Sequence, residues 1–295
     1  MKKFSLILLF VAIILIIPIY AYGDVGPKPS VVVNFEGFEG EMYYVTLLSE
    51  KPTTGPYSAV GLFEGSRRYS EEDVDYEIWQ KFVSFQDRDG YYFLQYFNEC
   101  TETSQFVWGY YPPYKFKILV YFPELDCFLL SDIYERYAFD SYYKVDVREI
   151  KLVPSATIEG ITAERNYNYT WEIISLFARI IATIGIEILI ALALGYRQRT
   201  QIGIILKTNI ATQTILNTVL NLVAYKMGGL AFVIIYFLAE IIVFIIEAVV
   251  YANKLTKYGT GRLGKKSYAT FYALAANVLS FITGIYIAQL IPGIF

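Results

Sequence analysis

The chain of 295 residues contains no histidine. That absence removes Ser-His-Asp triads, Cys-His dyads, histidine-ligated zinc and histidine-dependent intramembrane proteolysis together. Cysteine is scarce: Cys100 and Cys127 are the only two. Their position allows a disulfide and equally allows two buried thiols, and spacing alone does not choose. No cysteine lies near residue 24, which argues against a lipid-modified N-terminus. The stretches 195–202 and 252–267 contain no acidic residue at all. Two nucleotide- or metal-like motifs are incomplete. Gly259-Thr-Gly261-Arg-Leu-Gly264-Lys265-Lys266 has lysine where a phosphate loop needs Ser or Thr, and no strand precedes it. It reads as a basic loop at an anionic lipid surface. Asp87-Arg88-Asp89-Gly90 opens like a calcium loop but lacks the terminal acid, so an Asp-Gly hairpin turn is the better reading.

What the chain does have is apolar length. Hydrophobic residues make up 55%, above the ~45–50% of a soluble domain, and the excess sits in two places. Residues 1–23 read as a signal peptide, with Lys2 and Lys3, an apolar run from Phe4 to Ile17, and small residues at Ala21 and Gly23 before cleavage at Asp24. Residues 169–295 hold four apolar stretches of about 171–194, 203–224, 229–251 and 268–291. Each has the ~20 residues that a hydrocarbon core requires, and lipid forces such spans to be helical. Trp171, Tyr167 and Tyr169 stand where interfacial anchors belong.

Charge orients the spans. Arg197 and Arg199 lie in the loop 195–202; Lys254, Lys257, Arg262, Lys265 and Lys266 lie in 252–267. The positive-inside rule makes both loops cytoplasmic. Residues 24–168 and the C-terminus are then outside, as the signal peptide independently requires. The expected location is therefore the cell membrane, multi-pass.

Between signal and spans lies an acidic, aromatic-rich block. From Asp24 to Thr170 there are 24 acidic and 13 basic residues. Ser30–Phe35 reads as a strand and Met42–Ser49 as its partner across a Gly37–Gly40 turn. Glu71–Phe85 reads as a helix, with Val74, Ile78, Phe82 and Phe85 on one face. Tyr91–Phe97, Phe116–Phe122, Cys127–Leu130 and Tyr142–Val147 read as further strands. The expected fold is a β-sandwich-like domain with one helix over residues 24–168, followed by an all-α four-helix transmembrane bundle. The aromatic residues fill such a sandwich and its rim; a glycan- or peptide-binding surface is the alternative use.

The spans carry carboxylates where these are expensive. Each isolated carboxylate costs about 2.5–3.5 kcal/mol at a helix centre. Glu187 lies ~6 Å inward of the middle of the first span, Glu240 near the midplane of the third, and Glu247 ~10 Å below it on the same face. Asn209, Gln213, Asn217 and Asn221 form a stripe of four-residue spacing on the second span, and Asn277 sits just below the midplane of the fourth. Glu187, Asn209, Gln213, Glu240, Glu247 and Asn277 are therefore expected to converge in the cytoplasmic half. Arg179, two turns from Glu187, is the candidate counter-charge. Such a cluster serves as a cation or proton site, or as interhelical glue. The stripe Ala276, Ser280, Gly284, Ala288 permits close helix packing or self-association.

Asp24-Val-Gly-Pro-Lys-Pro-Ser30, Gly90-Tyr-Tyr-Phe93, Trp108-Gly-Tyr-Tyr-Pro-Pro113 and Ala138-Phe-Asp-Ser-Tyr-Tyr143, with the run Asn209 to Asn217 and Glu240 and Glu247, resemble a group of bacterial multi-pass membrane proteins that carry an exported N-terminal β-domain and no assigned activity. The resemblance implies the same layout and transfers no site residues.

Two functions follow as expectations. One is extracytoplasmic sensing or binding coupled to the bundle. The other is a small ion or proton pathway on the intramembrane Glu, Asn and Gln residues, in an oligomer because four helices are few for a transporter. No nucleophile–base pair is visible, so no enzyme is expected, although a carboxylate-based intramembrane enzyme stays open as a third reading. No cofactor is expected, and any metal is unspecified. The expected partners are the lipid bilayer and a second copy or membrane protein, with no nucleic acid.

Overall fold

The computed structural model describes residues 26–290 apart from 39, 64 and 66. The expected signal peptide and the expected outside C-terminus lie beyond the described residues.

The N-terminal region is β-rich, with mixed sheets. Strands β1 (Ser30–Glu36), β7 (Gln105–Trp108), β10 (Asp140–Asp146) and β12 (Ala163–Arg165) form one sheet in the order β12-β10-β1-β7. Strands β2 (Tyr44–Ser49), β5 (Tyr92–Phe93), β6 (Asn98–Glu99), β8 (Lys115–Phe122), β9 (Cys127–Glu135) and β11 (Thr157–Ile161) form the second, in the order β11-β9-β8-β2-β5, with β6 also on β2. A small hairpin joins β3 (Thr53–Thr54) to β4 (Tyr57–Ser58). The pairs β1–β10 and β9–β11 are parallel.

Alternation explains the layers. Val31, Val33 and Phe35 of β1 meet Phe116, Ile118, Val120 and Phe122 of β8 in one core between the sheets. The opposite face of β8 carries Leu119 and Tyr121, and these pack under helix α1 (Tyr76–Ser84) with Trp79 and Phe82. Covered on both sides, β8 reads as a nearly continuous apolar run rather than an alternating one.

Three expectations need correction. Ser30–Phe35 and Met42–Ser49 are not partners: the Gly37–Gly40 segment carries the chain from one sheet to the other. Helix α1 starts at Tyr76, not Glu71, because Ser70 N–H and Oγ–H both donate to Asp73 Oδ2 in a turn of their own. Val74, expected on its apolar face, is 99% exposed. Cys100 and Cys127 are free, buried thiols. Cys100 N–H bonds Tyr43 on the β6 side of β2, whereas Cys127 pairs with Phe122 beyond β8. Three strand spacings of ~4.8 Å separate them, too far for a bridge. The Asp87–Gly90 segment is a turn, with Gly90 at φ +76°, but it joins α1 to β5 and closes no hairpin. Asp87 accepts N–H bonds from Asp89 and Tyr91 and an ion pair from buried Lys117.

Four long helices follow: α2 (Tyr169–Ala193), α3 (Arg199–Met227), α4 (Gly229–Lys254) and α5 (Lys266–Leu290). Asn168 caps α2 by accepting Trp171 N–H at 3.0 Å, and Gln198 and Gln201 form a reciprocal box at the start of α3. The basic stretch before α5 is folded into two 3-10 turns, Leu255–Tyr258 and Gly261–Gly264. Helix α2 packs on α3 and α5, and α4 packs on α3 and α5, so α2 and α4 lie diagonally. Two stretches are long and apolar enough to cross a membrane: Tyr169–Ala193, mean hydropathy 2.2, and Gly229–Tyr258, mean hydropathy 2.8. The four helices are inverted relative to a water-soluble bundle. Ile173, Phe177, Ile181, Phe237, Ile242 and Ile245 are exposed, while Arg179, Glu187, Asn209, Asn217, Glu247 and Asn277 are buried.

Candidate functional site

Helical periodicity assembles the polar interior. Ser175, Arg179, Thr183 and Glu187 recur every fourth residue and form the buried stripe of α2. Helix α3 answers with Asn209, Gln213 and Asn217, all buried, and Asn221, partly buried. Helix α4 supplies Glu247 and Tyr251, and α5 supplies Tyr272, Asn277 and Ser280. Ala276 and Gly284 of the small-residue stripe are buried with them; the side chain at 288 is outside the described residues.

Glu247 is the best-satisfied carboxylate. Thr212 Oγ1–H donates to its Oε1 at 2.7 Å and Asn277 Nδ2–H to its Oε2 at 2.8 Å. Tyr251, one turn further, donates to Asn209 Oδ1 at 3.3 Å. Glu187, fully buried on the diagonal helix, has neither oxygen hydrogen-bonded, although Tyr272 O–H reaches its backbone carbonyl at 3.3 Å. Asn209 Nδ2, Gln213 Nε2 and Asn277 Oδ1 are also buried without a partner. Glu240 stands apart: it is only partly buried and lines a cleft of about 190 Å³ with Phe237, Phe244 and Phe281.

Arg179, the expected counter-charge, engages amides. Its Nε–H donates to Asn217 Oδ1 at 2.9 Å and its terminal nitrogen to Asn221 Oδ1. Asn217 Nδ2–H passes the line on to Gln213, at 2.9 Å to the backbone carbonyl and 3.3 Å to Oε1. Asn221 Nδ2–H continues it outward to the Glu172 carbonyl at 3.4 Å. Gln213 therefore belongs to the arginine line, and the convergent set is Glu187, Asn209, Glu247 and Asn277. Thr212, Tyr251 and Tyr272 were not singled out by sequence. Tyr251 had a signal, since it sits four residues after Glu247 on the same face.

The polar line ends where the β region is seated. Phe139 N–H donates to the Tyr225 carbonyl at 2.8 Å, and Lys226 Nζ to the Tyr137 carbonyl at 3.1 Å. Tyr167 stacks edge-on against Tyr225 at 5.1 Å, and its O–H donates to Glu172 Oε1 at 3.1 Å. Burial pushes the Tyr137 phenol up to about 12, so it stays a neutral donor to the Tyr142 carbonyl at 2.7 Å. Asp140, Tyr142, Trp171 and Glu172 border a cleft of about 500 Å³ at this junction.

Among the described residues, no three His, Cys, Asp or Glu side chains gather as a metal centre. No family model matches the chain, and no match to it is found among the curated proteins or the solved structures.

Proposed function

We propose that the protein is a multi-pass membrane protein of the kind its sequence resembles. Its β region faces the outside, and its four helices cross the bilayer as a bundle. Sensing or binding by the β region is coupled to the helices through the turn between α3 and α4. The inverted polarity of the bundle supports the membrane part. A surface of Ile, Phe and Leu over an interior of Arg, Glu and Asn suits lipid and not water. The basic loops 195–202 and 252–267, at the far end from the β region, support the orientation.

The observation that carries the coupling is the seat itself. The residues between β9 and β10 bond directly to Tyr225 and Lys226, and α3 holds the amides that fix Arg179. A shift of the β region has a rigid route into the bundle interior. Two measurements test the reading. Single cysteines in a Cys100→Ser/Cys127→Ser background, placed at Glu72 and at Lys257, should label from opposite sides of sealed vesicles. Labelling from the same side rejects the topology. Hydrogen exchange across 209–221 should rise when Tyr225→Ala and Lys226→Ala loosen the seat. Exchange unchanged there, with the seat demonstrably loosened, rejects the coupling.

A further inference from the structure

Glu187 is fully buried and neither of its carboxylate oxygens has a donor. Leaving a buried acceptor unpaired costs about 1–3 kcal/mol, and more for a charged group. Asn277 Oδ1 is unpaired as well, beside Glu247, to which the same amide donates. The centre thus holds two carboxylates from diagonal helices and three acceptor atoms without donors. Asn209, whose Nδ2 is also unpartnered, lies beside Glu187. The other titratable groups facing Glu187 are Glu247 and Glu240 of α4, Tyr251, and Tyr272 of α5. All are acids; none supplies a positive charge. Arg179 is eight residues away, ~12 Å along the helix, where Asn217 and Asn221 hold it.

We propose that Glu187, with Glu247, Thr212, Asn209 and Asn277, forms a binding site for one monovalent cation, a proton or a sodium ion, between the diagonal helices α2 and α4. Glu247 already has two donors and serves as the standing carboxylate. Glu187 receives the cation. As a proton, it sits on one Glu187 oxygen and leaves the other to accept from Asn209. As sodium, its candidate ligands are the Glu187 oxygens, Asn277 Oδ1 and Glu247. Only two carboxylates meet, with neutral oxygens around them, which matches one positive charge rather than a multivalent metal. Occupancy would draw α2 and α4 together. The site needs only the packed helices and does not depend on the coupling through the seat.

Dicyclohexylcarbodiimide, which attacks protonated carboxyl groups in apolar surroundings, tests it on the full-length protein in detergent or nanodiscs, with peptide mapping by mass spectrometry. Glu187 should be the modified residue, and modification should fall to background in Glu187→Gln. Protection by sodium chloride but not by choline chloride identifies sodium. Modification that rises as pH falls, without sodium protection, identifies a proton. The unfolding temperature read alongside should depend on the bound cation in the wild type and lose that dependence in Glu187→Gln. If that variant does not fold, the wild-type map and the cation dependence of its unfolding decide. Absence of Glu187 modification at every pH, with unfolding identical in sodium and choline, overturns the proposal. So does modification that falls on Glu240 or Glu247 and not on Glu187.

Discussion

Gly228 is the one residue between helices α3 and α4, and its substitution tests the seat of the β region directly. It adopts φ +81° and ψ 179°, a region essentially reserved for glycine. A side chain there costs about 1–3 kcal/mol in backbone strain alone. A Cβ would also lie 2.6 Å from Phe139 Cε1 and 2.7 Å from two more atoms of that ring. The ring has little room to yield, because Phe139 N–H is bonded to the Tyr225 carbonyl. Overpacking of this kind adds about 1–3 kcal/mol. Gly228→Ala should therefore destabilise by about 2–6 kcal/mol, a fall in Tm of roughly 5–20 °C for a chain of this size. Circular dichroism in detergent micelles reads it. Phe139→Ala in the same chain should restore the steric part and leave the backbone part, so the two substitutions together are less harmful than their sum. Gly228→Ala with Tm unchanged, or a double variant worse than the sum, would refute the close contact and the coupling built on it.

The arginine line makes a second prediction. Arg179→Met leaves two buried amide oxygens without their charged donor and should cost about 1.5–3 kcal/mol in detergent unfolding. Arg179→Lys should recover only part of this, because an ammonium lacks the fork that reaches Asn217 and Asn221 together. In the β region, Lys117 Nζ lies 2.7 Å from the wholly buried Asp87 and 2.6 Å from Asp89, so Lys117→Met should cost about 3–5 kcal/mol in urea unfolding. Burial pulls the Lys117 pKa down, but hydrogen bonds and charge from Asp87 and Asp89 outweigh it and leave the pKa raised. Its contribution is then complete below the unfolded value of about 10.4 and is lost as pH climbs through the raised folded value. The stability gap between wild type and Lys117→Met should hold up to about pH 10 and shrink above it. Burial, with Glu99 adding to it, pushes the Cys100 thiol up to about 12. Iodoacetamide should modify neither cysteine until the protein is denatured, and then both without reductant; a single disulfide-linked species in the mass spectrum would contradict the fold.

How far the sequence could be read depended on the range of the interaction. The long helices were legible because a span is set by its own composition, and the expected limits of 171–194 and 229–251 fall within three residues of the observed ends. Strand β8 was legible for the same reason, being apolar on both faces. Partnership was not. The residues of β1 contain nothing to say that it pairs with β10, more than 100 residues later, and not with β2. Short strands such as β7, β11 and β12 take their state from a neighbour's edge and have no period of their own. In the bundle, depth along each helix placed Glu187, Asn209, Glu247 and Asn277 together, because rise per residue is fixed. It could not separate Glu240, whose seven-residue spacing from Glu247 preserves the face but not the degree of cover. Nor could it choose between amides and carboxylates as partners for Arg179.

The two chemistries of the bundle bear on each other. In water, exposed Ile, Phe and Leu and buried Glu, Asn and Arg would both oppose folding: the first at about 25 cal/mol per Å² of apolar surface left wet, the second through lost hydration. In hydrocarbon the first term vanishes, and the second has a remedy only inside the bundle. Each polar group on α2 therefore needs a partner on another helix. Arg179 has such partners in Asn217 and Asn221, and Glu247 of α4 has them in Thr212 and Asn277. Glu187 is the member whose carboxylate has no partner from any helix. A bundle that needed only glue would gain from glutamine at this position, which brings its own donor and carries no charge. A glutamate there is useful only if something else brings the positive charge. Retained or improved stability in Glu187→Gln, with loss of cation dependence, would therefore separate a binding site from a clamp.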